Sequence, residues 1–191
     1  TGEEEVRQIL EENAFLLDYD VILFGNDVPE GECGLLELLE HPQSIIYALF
    51  FRKSLLAYTG SYNRFLHGNN QYEFLLRLAK RGDVYSIPSS ANKSTEFVPQ
   101  TMAYIVRYYM EILKEYGRLD ESFLRIVQLA ERNGKTAEFN KEMNEFLSDT
   151  KKFEKIATDT APCLIMVSND VEWYGVVEGF ANSMADELVG L

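Results

Sequence analysis

The two longest apolar runs in this chain, Val21–Gly25 and Ile45–Phe51, are short and dense in β-branched and aromatic residues. A membrane-spanning helix needs about 20 apolar residues in a row. Runs this short, rich in strand formers and bounded by turn residues, read as buried strands. The first belongs to Tyr19–Gly25 and runs into Asn26-Asp27 and Pro29-Glu30-Gly31, a turn. The second belongs to Ser44–Phe51, and a third strand, Val84–Ile87, stops at Pro88. A small sheet built from Val21–Phe24, Ile45–Phe51 and Val84–Ile87 is the expectation.

Helical periodicity fills the gaps. Residues 3–13 carry acids in the first turn and Val6, Ile9 and Leu10 on one face. Leu35–Glu40 is a short helix before Pro42, and Ser54–Tyr58 a helical turn stopped by Gly60. Asn70–Arg81 is a longer helix with Phe74, Leu75 and Leu78 inward and Gly82 past its end. From Pro99 the character changes to long helical stripes. Met102, Ile105, Val106, Tyr109, Ile112 and Leu113 precede Gly117. Asp120 is expected to cap a helix with Phe123, Leu124, Val127 and Ala130 inward, ending near Gly134. A third helix, about Thr136–Ile156, carries Phe139, Met143, Phe146, Leu147 and Phe153. Such stripes mean helix packing. Finally Cys163–Ser168 reads as a strand and Tyr174–Val189 as a helix, with Val177, Phe180, Ala181, Met184 and Leu188 inward. The fold class is α/β and helix-rich, in three parts: an α/β part at 1–98, helices at 99–158, and a strand–helix unit at 159–191 that reads as the start of a further α/β domain.

Charge is unevenly placed. The 191 residues carry a net −13, yet residues 1–50 hold 12 acids against one base, and residues 51–99 hold seven bases against three acids. An acidic protein is a poor nucleic-acid binder. The basic island at 51–99 suits a phosphate-bearing ligand or an ordinary solvated surface. Cys33 and Cys163 have no Cys or His neighbours at ligand spacing, so they read as buried thiols in a reducing, cytoplasmic compartment, with a disulfide as the alternative and without zinc. The opening Thr-Gly-Glu-Glu-Glu is no signal peptide and lacks Met, so a piece of a longer polypeptide is expected.

Catalytic signatures are thin. The histidines are His41 and His67, with no G-x-S-x-G elbow and no phosphate-cradling glycine loop. His41, before Pro42, reads as a partner of helix-end carbonyls. Asp18-Tyr19-Asp20 has the lettering of a metal-binding D-x-D, but it precedes a strand rather than following one. Two exposed loop acids, and no metal site, is the reading.

The informative stretch is Tyr47–Pro88, YALFFRKSLLAYTGSYNRFLHGNNQYEFLLRLAKRGDVYSIP. It resembles the later, acceptor-side half of the family 2 (GT-A type) glycosyltransferases. Phe51-Arg52-Lys53-Ser54-Leu55-Leu56 matches their aromatic-Arg element, Gly60-Ser61-Tyr62-Asn63 their Gly-aromatic-Asn turn, and Tyr72–Arg81 their following helix. Glu3–Asn13 and Tyr19–Gly25 look like the helix and strand after the family's D-x-D. The resemblance covers about half of the chain. It implies part of a GT-A fold and transfer of a sugar from a nucleotide-sugar donor to an acceptor glycan hydroxyl, with a divalent cation in the complete enzyme. Two departures stand out. The donor-binding half is not among these residues. The family's acidic pair, one member of which is the general base, is matched by Asn69, Asn70 and Gln71, and amides cannot take a proton at neutral pH. The isolated chain is therefore expected to be inactive, and no catalytic residue is assigned. The tail, from Cys163, looks like the first strand and helix of a GT-B type glycosyltransferase, or a generic strand–turn–helix.

What the resemblance implies for binding is a cleft lined by Arg52, Asn63, His67, Asn70, Gln71 and Arg77. Arg52 and Arg77 have a structural alternative, pairing with acids of the first 50 residues, and the amides have one in capping a helix. The rival to an enzyme is a non-catalytic interaction or scaffold module derived from the same fold.

Overall fold

The computed structural model describes residues 8–42, 45–60, 62–88, 97–158 and 173–177. Residues 8–12 are helical (α1), and a 3-10 turn, Ala14–Asp18, leads into β1, Val21–Asn26. β2 (Gly31–Cys33), α2 (Leu35–Leu39) and β3 (Ile45–Arg52) follow. A 3-10 turn at Lys53–Leu55 runs into α3 (Leu56–Thr59), then α4 (Asn70–Ala79) and β4 (Val84–Pro88). The helical part is α5 (Pro99–Glu115), α6 (Leu119–Arg132), α7 (Thr136–Ser148) and α8 (Thr150–Ala157), and the last described strand is β5 (Trp173–Val177).

The sheet is mixed, ordered β2-β4-β1-β3-β5. β1 and β4 are parallel, and the other pairs are antiparallel. Alternation along β1 explains why every one of its apolar residues is buried. Val21 and Leu23 face the main core, while Ile22 and Phe24 face a smaller cluster with Leu10, Leu16, Ala48 and Phe50. The β1–β3 register steps from Phe24↔Ala48 to Gly25↔Ile46. Tyr47 is thus the extra residue of a bulge, and the step returns Ile46 to the face of Leu49 and Phe51. The main core is continuous from β1 and β3 through α4 and α5 to Phe146 of α7 and Ile156 of α8.

The helix-rich α/β class and the three expected strands stand, with four corrections. First, Trp173–Val177 is a strand hydrogen-bonded to β3, where helix was expected from Tyr174. Trp, Tyr and two valines around one glycine favour an extended chain once an edge is available to pair with. Cys163–Ser168 and residues 178–189 lie outside the described residues. Second, α6 begins at Leu119 with Arg118, not Asp120, at its N-cap. It buries Ser122, Ile126 and Ala130, leaving Phe123 and Leu124 at 37% and 55% exposure. The narrow face of Ser122, Ile126 and Ala130 approaches α5 and α7, and the aromatic and leucine side chains flank it. Third, the expected Thr136–Ile156 helix is two helices. Asp149 leaves helical geometry and its carboxylate accepts the Lys152 N–H at 3.0 Å, starting α8 afresh and leaving Leu147 exposed. Fourth, α4 ends at Ala79, short of the expected Arg81, and a Cβ on Gly82 would sit 2.7 Å from Asp20. The glycine is there for close approach of the α4–β4 turn to the start of β1.

Candidate functional site

The Gly82–Asp20 approach fixes the direction of α4. Its tail lies at the amino end of β1, so its head, at Asn70, lies toward the carboxyl ends of the parallel pair β1 and β4. The Tyr72 hydroxyl donates to the Leu38 carbonyl of α2 at 2.7 Å, which anchors the head to the same end. Ligands of open α/β sheets gather beyond such carboxyl ends.

Three of the six expected binding residues spend their donors on the protein. Arg52, at the end of β3, donates to the Leu17 carbonyl at 2.6 Å and pairs with Asp20 at 3.3 Å, fulfilling its structural alternative. Asp20 is therefore no free loop acid. Asn63 is fully buried; its amide donates to the Ile156 carbonyl at 2.8 Å and accepts from the Phe65 N–H at 3.0 Å. That ties the loop before α4 to the end of α8. Arg77 is buried, and its bonds to Glu73 and Thr59 lie beyond the first 50 residues. It grips Glu73, one turn earlier, with bonds of 2.8 and 2.9 Å, and donates to the Thr59 carbonyl. Glu73, which a helix-surface reading would leave in solvent, is 1% exposed. Burial pushes its carboxyl up, with Arg77 pulling it back.

Around this pair the hydroxyls of Tyr62, Tyr104 and Tyr109 are buried without a protein partner. Desolvation raises all three, and the Glu73 charge adds to the effect at Tyr104 and Tyr109, whereas the Arg77 charge lowers each slightly. They stay protonated, as does the Cys33 thiol, which burial, and then Glu37, push to about 11. Nothing in this cluster is an accessible nucleophile.

His67 is exposed, and Asn70 and Gln71 are half-buried in the first turn of α4. Asn69 precedes them in a left-handed conformation, φ +52°. No side chain caps this helix, and the Oδ1 atoms of Asn69 and Asn70 are buried without a protein partner. Capping is thus not what these amides do. Gly68 is held to α5 by the Thr101 hydroxyl on its carbonyl, 2.9 Å, and a Cβ there would strike Val98.

Beyond the carboxyl end of β1 the structure also opens a cleft of about 510 Å³, lined by Asp27, Val28, Glu40, His41, Pro42, Arg125, Gln128, Leu129 and Arg132. None of the six expected residues lines it. The signal in the sequence was the polar 125/128/132 spacing on α6 with Leu129 among it, which the apolar stripe beside it overshadowed. Among the described residues no group of three or more His, Cys, Asp or Glu side chains could hold a metal ion, and no helix is long and apolar enough to cross a membrane. No protein-family model, curated protein or solved structure matches this chain.

Proposed function

We propose that this chain is the acceptor-side part of a glycosyltransferase, and that the head of α4 holds an acceptor hydroxyl without activating it. The observation that carries this reading is the pair of buried amide oxygens on Asn69 and Asn70. A buried acceptor without a partner costs about 1–3 kcal/mol, and a sugar hydroxyl is a donor of the right kind. The element order supports the same reading. A strand ending at Arg52, a short helix ending at Gly60, an Asn63 turn, a helix and a strand ending at Pro88 follow the sequence that the resemblance implies. The nucleotide-sugar donor, its divalent cation and a cytoplasmic setting belong to this proposal too.

With amides in place of the carboxylate pair, the 191 residues should not turn over a nucleotide sugar. Turnover above a heat-killed control would overturn that part. For binding, Asn70→Ala should abolish the response of α4-head resonances to neutral oligosaccharides while leaving the melting temperature unchanged. A variant that melts lower yet still binds would return Asn70 to a structural role. The second reading, a non-catalytic scaffold module, draws on Asn63 and Arg77, which serve packing rather than a ligand. A Gly- and Asp-containing βαβ segment encoded before Thr1 in the full-length gene would favour the enzyme, and its absence the module.

A further inference from the structure

The cleft between α2 and α6 is built differently from the head of α4. One wall is a single helical face: Arg125, Gln128, Leu129 and Arg132 recur at the three- and four-residue spacing that aligns side chains. The other is the end of α2 with the turn after β1, where Asp27 has φ +51°. Arg125 is positioned from both sides. It donates to the Glu40 carbonyl at 2.9 Å and to the Glu121 carboxylate at 2.8 Å. Glu40 is paired in turn with Arg118. The lining carboxylates, Asp27 and Glu40, are matched in number by the lining guanidiniums, Arg125 and Arg132. Both α2 and α6 end here, so their carbonyl ends add partial negative charge. A phosphate or carboxylate would therefore meet as much repulsion as attraction.

A cleft with balanced charge, planar forked groups and an apolar floor suits a ligand of another kind. The Gln128 amide and the Arg132 guanidinium each offer two hydrogen-bonding positions side by side, the spacing of neighbouring hydroxyls on a sugar ring. Val28, Pro42 and Leu129 supply apolar surface for the ring's C–H face. The volume lies within the range of about 300–1,000 Å³ usual for small-molecule sites. The geometry points to a subsite for an uncharged sugar unit of the acceptor, in which Gln128 and Arg132 of the helical part hold neighbouring hydroxyls while Asp27, Glu40 and the helix carbonyl ends disfavour phosphorylated or acidic sugars. This inference rests on the sugar-transfer reading of the α4 head and extends it to a second subsite at the same end of the sheet.

The test is a nuclear magnetic resonance titration of isotope-labelled chain with a panel of neutral disaccharides (cellobiose, maltose, lactose and chitobiose), and separately with inorganic phosphate. At least one disaccharide should move the amide resonances of His41 and of Gln128–Arg132, phosphate should not, and the double variant Gln128→Ala/Arg132→Ala should bind about tenfold more weakly. Both residues are exposed, so that variant should keep its fold, with circular dichroism as the check. No response to any disaccharide, a response to phosphate in its place, or an unchanged response in the double variant overturns the inference. Movement at Asn69–Tyr72 with none at α6 sinks this inference and leaves the α4-head reading standing. Movement at α6 with none at Asn69–Tyr72 overturns the α4-head reading and, with it, the acceptor assignment of this cleft.

Discussion

Helices α4 and α6 carry the same sequence device, a glutamate followed four residues later by an arginine, and the two pairs do different jobs. The Glu73 and Arg77 side chains are 2% and 7% exposed and join the loop end of α3 to α4 through Thr59. Glu121–Arg125 is 52% and 40% exposed and aims its guanidinium at the Glu40 carbonyl beside the cleft. Exposed pairs at this spacing contribute about 0.3–0.5 kcal/mol. A buried pair adds little net stability over apolar side chains, but removing one partner strands the other charge and costs about 3–5 kcal/mol. Identical spacing thus specifies a rigid interior on one helix and an adaptable rim on the other, and surroundings alone decide which.

The largest effect should come from breaking the buried pair. Arg77→Ala should lose about 3–5 kcal/mol of unfolding free energy at neutral pH, measured by urea titration. Its pH dependence sharpens the point. Desolvation already raises the Glu73 carboxyl, and without Arg77 nothing in the pair opposes it. A folded-state pKa above the unfolded one means that the native state binds more protons between the two values, so stability falls as pH rises through that window. The gap between Arg77→Ala and Glu73→Gln/Arg77→Ala should accordingly narrow on acidification. A gap that is constant with pH would mean that Glu73 is solvated in the variant.

Asn63→Ala comes next, at about 1–3 kcal/mol, because it leaves the buried Ile156 carbonyl and Phe65 N–H without their partner. Its loss should appear as faster hydrogen exchange in α8. Arg125→Ala should be smallest, at about 0.5–1 kcal/mol for an exposed pair and one carbonyl bond. A loss as large as that of Arg77→Ala would erase the contrast between the two helices.

The sequence made the strands legible where side-chain type and turn residues agreed. Val21–Gly25 and Ile45–Phe51 are short and dense in strand formers, and each lies within a residue or two of its observed bounds. Burial of charge was not legible. Glu73 and Arg77 look like any surface pair until α5 packs on α4 and brings Tyr104 and Tyr109 into the same core, about 30 residues further along the chain. The face of α6 was misjudged because large apolar residues suggest burial, whereas close helix packing selected Ser122, Ile126 and Ala130. The cleft was hidden for a related reason: its walls come from the turn after β1, the end of α2 and the last turns of α6, which only the fold brings together.

The pairing of β5 with β3 carries a temporal consequence. Arg52 meets Trp173 across about 120 residues of intervening chain. On a ribosome, β3 emerges long before its neighbour exists, and until then one side of it presents a row of unsatisfied amides and carbonyls. The helices α5–α8 are made in that interval. Their local contacts can form while the strand waits, so the late arrival of Trp173–Val177 acts as a closing step that protects β3 from pairing with another nascent copy.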